Sequence, residues 1–288
     1  MIRSISNGKL TVTADTHGAE LHSLRLDGHE YLWQCGEAWR RYAPVLFPFI
    51  CSPKDKKYKA AGREYIMPSN HGFARDSEFS AGECGNASMS FYLCSDDSTK
   101  KLYPFDFRLD VTYSFDSESD DTLNVINTVK NTGSDTMYFY IGGHPAFNCP
   151  LEEGLSFDDY CVEYEKPETV IQVWNGTRTI LDNESRLPMT RKLFDNDVIM
   201  KDAPASKCIT LRSDKGTRGV SLLWNDSCGC ISVWSPTGDD RASFVCLEPW
   251  TSVPVYEDDA FEDIEKKPHA VRLDKGCSFT FDYKIRVF

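Results

Sequence analysis

No two of the eleven cysteines stand as C-x-x-C, so the spacing of a redox motif or a paired zinc knuckle is absent. Cys228-Gly229-Cys230 has no second pair to complete a metal site and reads as two small residues opening the strand Ile231-Ser232-Val233-Trp234. Nothing approaches about 18 consecutive apolar residues, which excludes a membrane-spanning helix. The opening MIRSISNGKL has no apolar h-region, so the thiols are expected to be reduced and buried in a cytoplasmic protein. A basic excess is missing too: Lys and Arg number 32 against 44 Asp and Glu, a net charge of −12, and a nucleic-acid partner is not expected. There is no Pro/Gly/Ser-rich linker, so one domain over residues 1–288 is expected. Helical periodicity is scarce, with a turn or two near 188–194 and 258–266.

What is present is alternation. Phe105, Phe107, Leu109, Val111, Tyr113 and Phe115 are separated by polar residues without a miss, the pattern of a half-buried strand. A returning strand is expected over 122–130, and Phe279, Phe281, Tyr283, Ile285 and Val287 repeat the pattern at the C-terminal end. Hairpins are expected at Asp27-Gly28, with the second strand running over 29–34, and at Ala61-Gly62. The apolar segment 43–50 is broken by Pro44 and Pro48 and reads as an edge or irregular segment that feeds a surface loop from Cys51. The fold class is therefore all-β, a large and mostly antiparallel β-sandwich.

One stretch sets a histidine where an aromatic strand, 136–141, ends in a bend: Gly142-Gly143-His144-Pro145-Ala146-Phe147-Asn148. The glycines let the chain turn and Pro145 stiffens it, which suits a rigidly held general acid or base. Glu248, in Leu247-Glu248-Pro249-Trp250, ends an apolar run where a carboxylate is costly to bury without a partner or a task. His71, in His71-Gly72-Phe73-Ala74-Arg75-Asp76, and Asp197, in Phe194-Asp195-Asn196-Asp197, complete the polar candidates. The remaining histidines of the entry region, His17, His22 and His29, read as solvated or edge residues.

Taken together and in this order, the His71, His144 and Glu248 motifs on a β-rich chain resemble the aldose 1-epimerase (galactose mutarotase) family, and within it the LacX-like bacterial branch. The resemblance covers nearly the whole chain. It implies a sugar site in an open cleft, with Glu248 as general base, His144 as general acid, His71 as a sugar-binding residue beside the ring oxygen, and Asp197 gripping sugar hydroxyls. Phe147, Trp234 and Trp250 are candidates for a stacking wall, since pyranose C–H faces pack on aromatic rings, or else for the core; Arg75 is either a solvated surface residue or, in the family setting, one that faces the sugar or holds the His71 loop. Neither a metal nor a redox cofactor is implied. The partner is a small-molecule sugar, and the protein a monomer or homodimer.

Anomer interconversion removes the proton from the C1 hydroxyl while protonating the ring oxygen, so a carboxylate and an imidazole are expected to face each other across the anomeric centre. Two positions depart from the branch: Ser52 stands where an arginine is usual, and Thr251-Ser252 where an aromatic-Gly pair is usual. Two other readings stay open. Lys54, Lys56, Lys57 and Arg75 could meet the phosphate of a hexose 6-phosphate. The departures at 52 and 251–252 would equally suit a non-catalytic sugar-binding or sensor protein.

Overall fold

The structure is a computed structural model that describes residues 1–173, 176–238, 241–255 and 262–288. The alternating segments assemble into a nine-stranded antiparallel sheet. Its order is Arg178–Pro188, Tyr160–Gln172, Cys208–Ser213, Gly219–Trp224, Ser278–Val287, Thr122–Asn131, Phe107–Phe115, Ser88–Cys94 and Ser80–Cys84. Phe107, Leu109, Val111 and Tyr113 are buried while the residues between them stay part-exposed, so a one-residue slip would turn the whole apolar set to water. Each such side chain taken fully from water contributes about 1.5–3 kcal/mol. The last strand, Ser278–Val287, lies between Gly219–Trp224 and Thr122–Asn131, so the end of the chain closes the middle of the sheet.

A smaller sheet carries the chemistry. Ile199–Asp202, Cys230–Trp234, Phe244–Trp250, Gly142–Gly143 and Val45–Leu46 follow one another, and Ala146–Asn148 also pairs with Phe244–Trp250. Phe244–Trp250 is buried at every position, as a central strand covered on both faces must be. Val245 and Leu247 enter the main core, while Phe244 and Cys246 join a second cluster against Trp33, Trp39 and Trp234. Val45–Leu46 ends the sheet, as the prolines of that segment require.

The all-β expectation holds, with helix limited among the described residues to Asp97–Lys100 and short 3₁₀ turns, one of them at Arg191–Phe194. The turn expected over 258–266 is present only as Ile264–Lys266; residues 258–261 lie outside the described residues. The strand after Asp27-Gly28 stops at Glu30, because the Glu30 carboxylate accepts from the amides of Leu24 and Leu32 and bends the chain there. The strand expected over 136–141 shortens to Met137–Phe139, paired with Val271–Leu273. All eleven cysteines are free, but Cys84, Cys94 and Cys277 are exposed rather than buried, since all three sit near strand ends or in a turn. No helix among the described residues is long and apolar enough to cross a membrane.

Candidate active site

Glu248 and His144 meet on the floor of a cleft of about 310 Å³. Strand period sets the first: Cys246, Glu248 and Trp250 share one face of Phe244–Trp250, and Ser232, opposite Glu248, is fully buried. The glycine pair sets the second. Gly142 lies opposite Trp250, where a Cβ would stand 2.6 Å from the indole Cδ1, and a Cβ on Gly143 would overlap the Tyr283 hydroxyl of the large sheet. With no side chain on either residue, the backbone slips between the two and delivers His144, whose amide donates to Pro44 O at 3.1 Å.

His144 Nε2 lies 3.1 Å from Glu248 Oε2. Glu248 on its strand and His144 in the bend between Gly142–Gly143 and Ala146–Asn148 therefore sit side by side, rather than facing each other across a sugar-wide hollow as the sequence suggested. Their contact lacks hydrogen-bond alignment, and neither carboxylate oxygen of Glu248 nor Nδ1 of His144 has a hydrogen-bond partner. Burial pushes the Glu248 carboxyl well above the usual carboxylate range, and the Asp197 charge pushes the same way. Burial pulls the His144 imidazole down to about 3, with Arg75 and Arg41 adding to the effect. Both shifts favour the uncharged form of each group, so a proton held by the pair rests on the carboxyl rather than the imidazole.

His71 enters from a loop bonded to the edge strand. Gly72 has φ +73°, and its Cβ would overlap the Phe47 carbonyl, so the His71-Gly72 turn presses closely on residues 47–48. The Cys51 amide donates to His71 Nδ1 at 2.9 Å, which puts the ring proton on Nε2. Burial first, then His144 and the two arginines, hold His71 well below its usual value, so it is a neutral donor. Its ring stands perpendicular to that of His144 with centroids 5.4 Å apart.

Asp197 and Trp234 form the opposite rim, joined by a hydrogen bond of 2.9 Å from the indole N–H to Oδ1. Asp197 has φ +71°, a strained backbone for a non-glycine residue, and buried Gln172 holds it there. Gln172 Nε2 donates to the carbonyls of Asn196 at 3.0 Å and Val198 at 2.9 Å, while Arg178 braces Gln172 Oε1 and the Leu193 carbonyl. Gln172 gave no signal in the sequence, because it acts only through backbone distant in the chain.

Arg75 and Trp250 also line the cleft. The Arg75 Nε is buried with no hydrogen-bond partner, and Asp76 stands 3.9 Å away. Burial, then Arg41, lower Arg75 to about 10 against the pull of Asp76. Lys54, Lys56 and Lys57 are exposed and do not line the cleft. Phe147, expected in the stacking wall, is fully buried in the main core, because strand alternation turns it away from the face of Ala146. Trp39 lines the cleft instead and stacks on His144 at 5.1 Å between ring centroids. Trp39 lies in an irregular run where no periodicity marks a face, and only its being a loop tryptophan could have flagged it. Asn70, Cys51 and Val198 complete the lining. The departures stay off the cleft wall: Ser52 Oγ donates to Pro53 O, Thr251 Oγ1 accepts from the Ile141 amide, and Ser252 Oγ donates to Val253 O.

Unpaired buried polar atoms gather at this cleft. Of ten such side-chain atoms among the described residues, five belong to Arg75, His144, Glu248 and Trp250. Native proteins rarely leave such groups unpaired, so their concentration in one cleft marks a place for a polar ligand.

A family model described as Aldose 1-epimerase matches residues 1–285. The plasmid-encoded protein LacX of Lactococcus lactis subsp. lactis is 32% identical over 292 residues, covering 95% of this chain and 96% of that protein. Among solved structures, a galactose mutarotase related enzyme from Lactobacillus acidophilus superposes with a TM-score of 0.91 at 28% identity, covering 100% of this chain and 97% of that one. A galactose mutarotase-like protein from Lactobacillus casei gives 0.90 at 29% identity, with both chains covered in full.

Proposed function

The chain belongs to the aldose 1-epimerase family, and from that premise we propose that it interconverts the α- and β-anomers of an aldose, with Glu248 as base and His144 as acid. The observation that carries this reading is the 3.1 Å contact of the two groups on the cleft floor, amid unpaired polar atoms. The hydroxyl oxygen O1 and the ring oxygen O5 are both bonded to C1, so two adjacent groups can address both from one side of the sugar. Transfer of the shared proton from the carboxyl to the imidazole readies the pair. The Glu248 carboxylate then takes the O1 proton while the His144 imidazolium gives its proton to O5, and the C1–O5 bond breaks. The aldehyde turns about C1–C2, and the same steps in reverse close the ring on the other face.

The other side chains position the sugar. His71 donates Nε2–H toward the ring oxygen, Asp197 accepts from hydroxyls, and Arg75 offers its guanidinium, whose Nε makes no hydrogen bond. Trp234, Trp250 and Trp39 supply the apolar surface on which pyranose C–H faces pack.

The test is anomer exchange followed by polarimetry or exchange NMR with freshly dissolved glucose and galactose. No acceleration over buffer with any common aldose removes the epimerase reading, and sugar binding without acceleration leaves a binding protein. A phosphorylated aldose is the second reading, favoured by the buried Arg75 Nε, which makes no hydrogen bond. Glucose against glucose 6-phosphate in the same assay decides between them.

A further inference from the structure

The cleft floor holds one more ligating atom than acid–base chemistry uses. Cys246 precedes Glu248 by two residues on Phe244–Trp250, so its side chain turns to the same face. Its Sγ, a His144 ring nitrogen and a Glu248 carboxylate oxygen lie within 4.8 Å of one another, and all three residues are buried. Cys246 is a free thiol packed against Ala146, Ala242 and Phe244. His144 Nε2 and Glu248 Oε2 are 3.1 Å apart, close to the roughly 3.4 Å that nitrogen and oxygen ligands span across a tetrahedral zinc ion. Sulfur needs about 3.5 Å to each of the others in such a site, so side-chain shifts of little more than an ångström complete the set.

We propose that Cys246, His144 and Glu248 form a binding site for a thiophilic divalent cation such as zinc, with the fourth coordination position open to the cleft. Three buried protein ligands of mixed sulfur, nitrogen and oxygen type, with one side open, are the donor set of an accessible zinc site, and the thiolate disfavours magnesium and calcium. Both oxygens of the buried Glu248 carboxylate lack a hydrogen-bond partner, and one of them lies 3.1 Å from His144 Nε2 at this point, which a cysteine acting only as a small apolar filler leaves unexplained. Binding is ligand exchange without redox change. The ion takes Cys246 as thiolate, Glu248 as carboxylate and His144 through the Nε2 lone pair, and the displaced protons pass to solvent. An ion there occupies both groups assigned to proton transfer and so switches the cleft off. That inhibition rests on the epimerase reading; the binding does not.

The experiment uses the metal-stripped full chain with ZnCl2 in calorimetry, and CoCl2 to read the near-ultraviolet sulfur-to-cobalt charge-transfer band. One ion per chain with a thiolate band is expected, lost or weakened about tenfold or more in Cys246→Ala. Cys246→Ser, closer in volume, stands in if the alanine variant fails to fold. Zinc should inhibit anomer exchange in the wild type, and Cys246→Ala should stay active and resist it. Failure of the wild type to bind zinc, or a band and affinity unchanged in both variants, overturns the site. If the chain has no epimerase activity, the calorimetric and spectroscopic arms still decide it.

Discussion

Cys51 and His71 hold each other in both directions: the Cys51 amide donates to His71 Nδ1 at 2.9 Å, and the His71 amide donates to the Cys51 carbonyl at 2.6 Å. Both residues have positive φ, +51° and +65°, so the ring proton is directed into the cleft at the expense of backbone strain. Gly72 makes the turn feasible. Gly72→Ala should cost more than about 1 kcal/mol, from the left-handed backbone and the overlap with Phe47, and should raise KM through a displaced His71. Urea unfolding and exchange kinetics measure the two effects; an unchanged midpoint refutes the account.

Replacing either member of the proposed acid–base pair should nearly abolish exchange. Glu248→Gln and His144→Gln are each expected to slow kcat/KM by about 10²–10⁴-fold, or about 3–5 kcal/mol of barrier. The double variant should be little slower than the worse single one, because the groups work as a unit. Equal rates for wild type and Glu248→Gln would remove Glu248 from the chemistry.

The pH profile should be broad on the acid side. With the imidazole pulled down to about 3, a second proton joins the pair only near that pH, so the base stays available far below the 6.5 of a free histidine. On the alkaline side activity falls as the pair loses its single proton, above the ordinary carboxylate range, because burial raises Glu248. The rate of anomer exchange against pH, measured with a chelator present, should therefore lack a limb near 6.5; a half-loss there on acidification contradicts the assigned shifts.

Glu248 should also weaken the fold at high pH. A carboxyl whose folded pKa is raised binds more protons folded than unfolded, so stability is greatest below the unfolded value and declines as pH rises toward the folded one. Glu248→Gln removes that decline, and its melting temperature should exceed the wild type at pH 8 while matching it more closely at pH 5. Calorimetric scans at the two pH values check the sign.

Gln172 is the test of the rim. Gln172→Leu keeps approximate volume but leaves the carbonyls of Asn196 and Val198 without their buried donor, a penalty of about 1–3 kcal/mol. The loop that carries Asp197 should relax, raising KM several-fold with a smaller change in kcat. Unchanged kinetics would mean that Asp197 does not need that loop, or does not touch sugar.

Much of this was legible in the chain because alternation reports burial directly: Phe107–Phe115, Thr122–Asn131 and Ser278–Val287 lie within a residue or two of where their patterns place them. Tyr160–Gln172 was not, since register shifts interrupt its pairing and Pro167 breaks its pattern. The His144 and Glu248 motifs pointed to one cleft, yet their 3.1 Å contact depends on a strand pairing between Gly142 and Trp250 that no local signal encodes. Phe147 and Trp39 show the limit: a residue next to the motif faces the core, and one about a hundred positions away covers the imidazole.

The glycine pair at 142–143 leaves a partition a single peptide thick between the cleft and the Tyr283 hydroxyl. A larger side chain at Tyr283 in the large sheet would therefore press on Gly143 and, through it, displace His144 in the cleft.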